Sequence, residues 1–322
     1  MKTDDLLALI DRGDTVHIQT HDFPDHDSVA SAFALQVLLR QWEINASLVY
    51  GGRIQDYTVS RLITDFAIPI HPASSRLLEP TDKIIIVDGC KGNKNITDII
   101  GREVAIIDHH DSVSPPDVPF SDIRSDYGSC STIIYSYYRE RDIPIQDDVA
   151  TVLLVGLLTD TALMTRAVSG TDMEMYTSLY NRVDSRTVNS LLRNKIRSKD
   201  LHLFRQAIDT VRLENGFAYC FFAGGCPENL LGILGDFFLT VSEIRFVLLC
   251  ARNDGRVNLS ARSEQPEWNA GVVIRRALEG LGFGGGHPDM AGGVIENPEV
   301  FDSDQMYLRL RGILESLPAG TA

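Results

Sequence analysis

An α/β protein of two domains is what this sequence predicts: an N-terminal domain built on a parallel sheet with helices on both faces, followed by a smaller α/β C-terminal domain. Strand-like and helix-like segments alternate from residue 1 to about 185. The short run Ile84-Ile85-Ile86-Val87 is apolar throughout, as a central strand buried on both faces must be. Acidic or imidazole residues also stand directly after several apolar runs, and the carboxyl ends of parallel strands converge on one crevice.

Residues 16–19 read as the first strand, 28–42 as a helix, 47–50 as a strand and 57–66 as a helix. Strands follow at 84–87 and 104–107, then a helix at 131–139. Residues 149–158 are continuously apolar and fit strand or buried helix by periodicity alone, but the acidic segment Gln146-Asp147-Asp148 before them resembles a helix start. Segment 171–210 is polar, charged and helix-prone, and reads as the connection between domains. The expected boundaries are a first domain over 1–185, a helical linker over 186–210 and a second domain over 211–322. In that second domain an alternating pattern begins at Phe217 and continues through 244–250 and 257–260, with a helix around 269–280. The tail, 318–322, is expected to fray.

At 322 residues the chain can bury two separate cores, and 44% hydrophobic with 23% charged residues is ordinary for a globular protein. It has no apolar run of the roughly 18 residues that a membrane span needs, and its first residues, Met1-Lys2-Thr3-Asp4-Asp5, lack a basic stretch followed by an apolar one. The expected location is therefore cytoplasmic. Cysteines stand at 90, 130, 220, 226 and 250, an odd number without a Cys-x-x-Cys pair, which argues against a disulfide framework or zinc knuckle. Cys90, two residues after Asp88, reads as structural because no general base stands beside it. A net charge of -14 disfavours a protein that tracks along duplex DNA, since that needs a broad basic surface. A short or mononucleotide phosphate is easier to reconcile.

The chemistry is concentrated in four places. His21-Asp22-Phe23-Pro24-Asp25-His26-Asp27-Ser28 follows the first strand, and Asp88 follows 84–87. Asp108-His109-His110 follows 104–107, and Asp160 follows the apolar run that ends at Leu158. An Asp after an apolar strand is usually a cap or turn residue. Four such coincidences instead suggest a shared site, whose acids would repel one another unless cations neutralised them. Mixed carboxylate and imidazole donors suit manganese, iron, cobalt or zinc better than calcium.

These segments, taken in order, resemble the four motifs of the DHH phosphoesterase superfamily, which includes RecJ-type exonucleases, cyclic-dinucleotide phosphodiesterases and nanoRNase/pAp phosphatases. Gly284-Gly285-Gly286-His287-Pro288-Asp289-Met290-Ala291-Gly292-Gly293 resembles the glycine-rich signature of the DHH-associated C-terminal domain. The compact chain is most similar to the nanoRNase/pAp phosphatase branch, with His26 standing where that branch has glycine.

The resemblance implies hydrolysis of a phosphoester at two divalent ions, manganese first, without a covalent enzyme intermediate. His21, Asp25 and Asp88 would hold one ion, and Asp27, Asp88, His109 and Asp160 the other, with Asp88 as bridge. Asp108 is then either a residue that orients an imidazole ligand or a structural hydrogen-bonding group, and His110 either a contact to the scissile phosphate or leaving oxygen or again structural. His17 and His26 are expected not to be ligands. Gly285, Gly286 and His287 would approach a phosphate, and Arg262, in a segment similar to the family's Ser-x-Arg-Ser, would clamp a nonscissile one. Phe283 is read as a core residue before a base-stacking one. The expected substrates are short oligoribonucleotides and 3'-phosphoadenosine 5'-phosphate, bound between the domains, and a homodimer is compatible with the reading. The alternatives are a cyclic or linear dinucleotide phosphodiesterase, a RecJ-like exonuclease, an exopolyphosphatase, or a nucleotide-binding regulator without catalysis.

Overall fold

The computed structural model describes residues 1–317 and divides the chain into two compact units, Met1–Lys195 and Ile196 onward. The fraying expected of 318–322 lies outside the described residues. The first unit runs α1 (Lys2–Leu7), β1 (Val16–Gln19), α2 (His26–Leu39), β2 (Ala46–Tyr50), α3 (Tyr57–Asp65), β3 (Ile70–Pro72), β4 (Lys83–Val87), β5 (Arg102–Asp108), β6 (Phe120–Ile123), α4 (Cys130–Glu140), α5 (Asp147–Asp160), α6 (Gly170–Tyr180) and α7 (Ser185–Arg193). Its six strands pair in the order β3-β2-β1-β4-β5-β6, all parallel. The order reverses between β1 and β4, so the loops after these strands diverge and leave a crevice at their carboxyl ends.

Strand alternation sorts the apolar residues between two faces. Val16 and Ile18 of β1, Ile85 and Val87 of β4, and Ala105 and Ile107 of β5 join the main core beneath α2, α4 and α5. The alternate residues Ile84, Ile86 and Ile106 join Cys90 and Val118 in a second, smaller cluster. That second face is covered by the loops after β4 and β5, with Ile96 and Ile99 packed in, because the connections β4 to β5 and β5 to β6 contain no helix. The sheet is thus buried on both sides, as the Ile84–Val87 run requires, but its helices gather on one face. Helix α5 settles the ambiguity of 149–158: every residue from Val149 to Leu158 is buried among the other helices.

An ion pair between buried Asp122 and half-buried Arg124 locks β6 to α4. The Asp122 carboxylate accepts from Arg124 Nε at 3.0 Å, Arg124 Nη2 at 2.7 Å and the Tyr137 hydroxyl at 2.8 Å, and the Arg124 backbone N–H donates to Asp108 O at 2.9 Å. Burial opposes ionisation of Asp122, yet Arg124 holds its carboxyl below the usual carboxylate range.

The second unit contains α8 (Leu201–Thr210), β7 (Arg212–Glu214), β8 (Phe217–Phe222), α9 (Glu228–Leu239), β9 (Phe246–Asn253), β10 (Arg256–Ser263), α10 (Ala270–Leu278), β11 (Phe283–Gly286), β12 (Met290–Ile295) and α11 (Ser303–Ser316). Its sheet has the order β11-β12-β10-β9-β8-β7, antiparallel except for the parallel pair β8 and β9. Residues of α8 and α9 share one core with this sheet, and residues of α10 and α11 share another. The segment expected as a linker, 186–210, divides between the units: Val188 and Leu191 of α7 enter the first core, while Leu203 and Ala207 of α8 enter the second unit.

The glycine-rich segment 284–293 is regular structure. It forms the hairpin β11–β12, in which Gly284, Gly285 and Gly286 pair with Gly293, Gly292 and Ala291. Close packing against α10 demands these glycines, since a Cβ at Gly284 would fall 2.4 Å from Ile274 and one at Gly293 2.2 Å from Leu278. Phe283 is a correction: it is 74% exposed on the edge strand β11 instead of lying in the core. No helix among the described residues is long and apolar enough to cross a membrane.

Candidate metal centre

Each candidate donor sits where a strand or helix ends. His21 follows β1, and Asp25 is the N-cap of α2, its Oδ1 accepting from Ser28 N at 2.9 Å while Ser28 Oγ accepts from Asp25 N at 3.0 Å. That cap leaves Asp25 Oδ2 facing His21 Nε2 at 3.5 Å. Asp22, between them, is turned away: its carboxylate accepts from Thr97 N at 2.9 Å and Thr97 Oγ1 at 2.8 Å, clasping the loop after β4.

Asp27, in the first turn of α2, is fully buried. Its two oxygens accept from the N–H groups of Cys130, at 2.6 Å, and Ser131, at 2.9 Å, so the amino end of α4 supports its negative charge. Gly156 on α5 makes the room, for a Cβ there would stand 2.9 Å from Asp27 Oδ1.

Asp88 leaves β4 in the left-handed backbone region, φ 57°. A non-glycine residue there stores strain, which tends to persist where geometry serves a site. The turn directs Oδ2 to His21 Nε2, 3.7 Å away, and Oδ1 to His109 Nε2, 3.4 Å away. His109 Nε2 also lies 3.2 Å from Asp160 Oδ2 and 4.0 Å from Asp27 Oδ2. Its other nitrogen, Nδ1, faces the carbonyl of Tyr127 at 3.3 Å. After Asp160, the chain passes through three consecutive left-handed residues, Ala162, Leu163 and Met164.

These donors form three groups that share members: His21, Asp25 and Asp88; Asp27, His109 and Asp160; and Asp88, His109 and His110. In each, one ligand atom from every residue lies within 4.8 Å of the others. All six residues expected as ligands are therefore brought together, and His110 joins them. Asp108 does not. Its Oδ1 faces His110 Nδ1 at 2.8 Å and its Oδ2 accepts from Ser112 Oγ at 2.9 Å, so it orients His110 from behind. His17 is outside the groups, paired with Asp82 at 3.1 Å, and His26 is buried in the first turn of α2.

Crowding of like charge shows in the protonation of the cluster. Burial disfavours a charged His109, but Asp160, Asp88 and Asp27 outweigh it and push the imidazole up to about 12. Burial likewise opposes protonation of His21, yet Asp25 and Asp88 push it up to about 9. Burial, with Asp25 and Asp88 beside it, raises Asp160 to about 6, and burial with Asp160 and Asp88 holds Asp27 well above the usual carboxylate range. The bond to Asp108 raises His110. Four carboxylates carry four negative charges, which two divalent cations would balance. Asp88 Oδ1 and His109 Nε2 are buried without a hydrogen-bond partner, and oxygen plus imidazole nitrogen is a donor set that fits a first-row transition metal.

Residues 15–157 match the DHH family N-terminal domain and residues 214–304 match the DHHA1 domain. The chain belongs to the DHH phosphoesterase superfamily. It is 25% identical over 279 residues to an uncharacterised protein of Methanocaldococcus jannaschii, covering 86% of this chain and 57% of that one. A probable manganese-dependent inorganic pyrophosphatase of Streptococcus mutans is 30% identical over 151 residues, or 45% of this chain and 47% of the relative. The chain thus spans only about half the length of these relatives. Among solved structures, an exopolyphosphatase-related protein from Bacteroides fragilis superposes with a TM-score of 0.79 at 16% identity, over 98% of this chain and 95% of the other, a likeness of fold.

In the DHHA1 domain, Arg262 lies on β10 with its guanidinium engaged: Nε donates to Asp236 Oδ1 at 2.7 Å and Nη1 to Ala261 O at 3.0 Å. It rests on the glycine face of α9, where a Cβ at Gly232 would meet Nη2 at 2.7 Å. His287 is exposed in the β11–β12 turn, its N–H donating to Met290 O at 2.8 Å. Gly285 and Gly286 are strand residues of β11.

Residues 124–131 carry functions that the sequence reading missed, because they act through backbone groups: the Tyr127 carbonyl on His109 and the Cys130 and Ser131 amides on Asp27. The visible signal was Ser129, a helix N-cap type directly before an apolar helix. All five cysteines are free and buried, and burial raises the Cys90 thiol, consistent with a structural role.

Proposed function

We propose that this chain is a metal-dependent phosphoesterase that hydrolyses short oligoribonucleotides and nucleotide phosphates such as 3'-phosphoadenosine 5'-phosphate, with two divalent ions, manganese first. The observation that carries the reading is Asp88, whose two oxygens face His21 on one side and His109 on the other. A carboxylate so placed is the shared member of two donor sets, the arrangement that two-metal hydrolases use. The ions, when bound, supply Lewis acidity at the phosphoryl oxygens and make water a better nucleophile.

The protein's own residues account for the rest. His21, Asp25 and Asp88 make one set, and Asp27, Asp88, His109 and Asp160 the other. His110, with Nδ1 held by Asp108 and its side chain 46% exposed, presents Nε2 for a hydrogen bond to the scissile phosphate or leaving oxygen. Arg262 and His287 bind a second phosphate, Arg262 by exchanging Asp236 for the substrate. Manganese is supported by the similarity to the streptococcal probable manganese-dependent pyrophosphatase. A cytoplasmic setting suits such substrates and five free thiols.

The test is a substrate panel with the manganese-loaded protein: 3'-phosphoadenosine 5'-phosphate, 5'-phosphorylated RNA dinucleotides, a cyclic dinucleotide, inorganic pyrophosphate and polyphosphate. The reading expects the first two to be turned over fastest. Preference for the cyclic dinucleotide, pyrophosphate or polyphosphate would replace it with the corresponding phosphodiesterase or phosphatase, and manganese binding without turnover of any would leave a regulator.

A further inference from the structure

Asp172, in the first turn of α6, is a fully buried carboxylate that belongs to none of the donor groups. Its Oδ2 accepts from Gly128 N at 2.9 Å, Ser169 N at 2.7 Å and Ser169 Oγ at 2.6 Å, and its Oδ1 accepts from Thr132 Oγ1 at 2.5 Å. The bonds with Ser169 form a reciprocal helix cap, an ordinary use of an acid at this position. A cap alone could sit at the surface without the cost of burying a carboxylate. It also leaves Gly128 and Thr132 unexplained, since both belong to the entry of α4.

Those two contacts lead to the metal donors. Gly128 N–H and Tyr127 C=O are the two ends of one planar peptide unit, so holding the first fixes the direction of the second. The Tyr127 carbonyl can only accept, and it faces His109 Nδ1 at 3.3 Å, so that nitrogen carries a hydrogen in either charge state, and Nε2, which faces Asp88 and Asp160, is the nitrogen whose proton a bound cation would displace. A side chain at Gly128 would break the arrangement, with its Cβ 2.6 Å from Thr161 and 3.1 Å from Asp172 Oδ2. Thr132, the other contact, lies in the first turn of α4, next to the Cys130 and Ser131 amides that hold Asp27.

We infer that Asp172 is a positioning residue for the metal centre: through the Tyr127–Gly128 peptide it sets the tautomer and orientation of His109, and through Thr132 it anchors the amino end of α4 against Asp27. The inference rests on the metal-dependent reading of the site.

The test is manganese binding to the metal-stripped full chain, followed by the electron paramagnetic resonance signal of free Mn2+, together with thermal unfolding. Asp172→Asn keeps an acceptor on only one of its two sides, its NH2 facing either the Gly128 and Ser169 N–H groups or the Thr132 hydroxyl, which must then accept instead of donate, and should weaken one of the two ions by roughly 10-fold or more. Ser169→Ala removes only a hydroxyl of the cap, and should lower the unfolding temperature while leaving both affinities as in the wild type. If Asp172→Asn lowers the unfolding temperature but binds both ions like the wild type, Asp172 is only a cap and the inference is overturned, with the metal reading intact. If Asp172→Asn does not fold, Thr132→Val, of the same shape, carries the same comparison. A wild type that binds no manganese would defeat the functional reading and this inference with it.

Discussion

His109 Nε2 stands 3.4 Å from Asp88 Oδ1, and both are buried atoms without a hydrogen-bond partner. Each such atom costs about 1–3 kcal/mol if left unsatisfied. A protein that carries two of them face to face, with strained backbone at Asp88, has placed them for a cation. The same pair connects the donor groups, since Asp88 belongs to two of the three and His109 to two.

Asp88→Asn should therefore abolish function without unfolding the chain. Asparagine tolerates the left-handed backbone that Asp88 occupies, where alanine would add strain to the effect being measured. Turnover by the manganese-reconstituted variant should fall by on the order of 100-fold or more, and its circular dichroism should match the wild type. Activity close to wild type after chelation and reconstitution would defeat the assignment of Asp88 as a shared ligand.

The Asp122–Arg124 pair predicts how stability depends on acid. The folded pKa of Asp122 is lowered, so its contribution is present above the unfolded value, about 3.9, and is lost as pH falls through the folded one. Asp122→Asn removes the charge that faces the partly exposed Arg124 and, 3.6 Å away, Lys2, and should cost about 1–3 kcal/mol near neutral pH. Urea unfolding of both proteins at pH 7 and pH 3 checks this: the difference should narrow at pH 3, and a constant difference would mean that packing, not charge, is at stake.

Arg262 should be sensitive to the face of α9 on which it rests. Gly232→Ala brings a methyl within 2.7 Å of Nη2, the far end of a flexible side chain, so the guanidinium gives way with little loss of stability. The Michaelis constant for 3'-phosphoadenosine 5'-phosphate should rise several-fold, while hydrolysis of bis-p-nitrophenyl phosphate, which offers no second phosphate, stays unchanged. Arg262→Ala and His287→Ala should show the same pattern more strongly. Equal losses on both substrates would assign these residues to folding or chemistry instead.

Most of the first unit was legible because its signals are local. Val16–Gln19 coincides with β1, and Ile84–Val87 and the 149–158 run fall within β4 and α5. Strands β3 and β6 were not seen, being edge strands of three and four residues with polar members. Helix α9 was hidden by Gly232 and Gly235, which weaken helix propensity and leave room for the Arg262 side chain lying over them. The strand pairing of the glycine hairpin is hidden for a related reason: its glycines answer to Ile274 and Leu278 across space, contacts that a linear pattern does not show. The donors themselves were legible because each ends an apolar run. Their supports at Tyr127, Cys130, Ser131 and Asp172 were not, because three act through the backbone and the fourth looks like any helix cap.

Length preference is the boldest expectation. A net charge of -14 gives a long polyanion little broad electrostatic attraction, so binding should depend on the metal centre and on whatever phosphate contacts a short substrate can make. Those contacts do not grow in number as the substrate lengthens, whereas the repulsion does. Incubating 5'-phosphorylated RNAs of two to twenty-four nucleotides with manganese-loaded protein should give fast cleavage of the shortest and little product from the longest. Raising the salt should narrow the gap, since screening removes repulsion from the long RNA more than it weakens contacts of the short one. Processive degradation of long RNA or single-stranded DNA at rates comparable to the dinucleotide would replace this reading with a RecJ-like exonuclease.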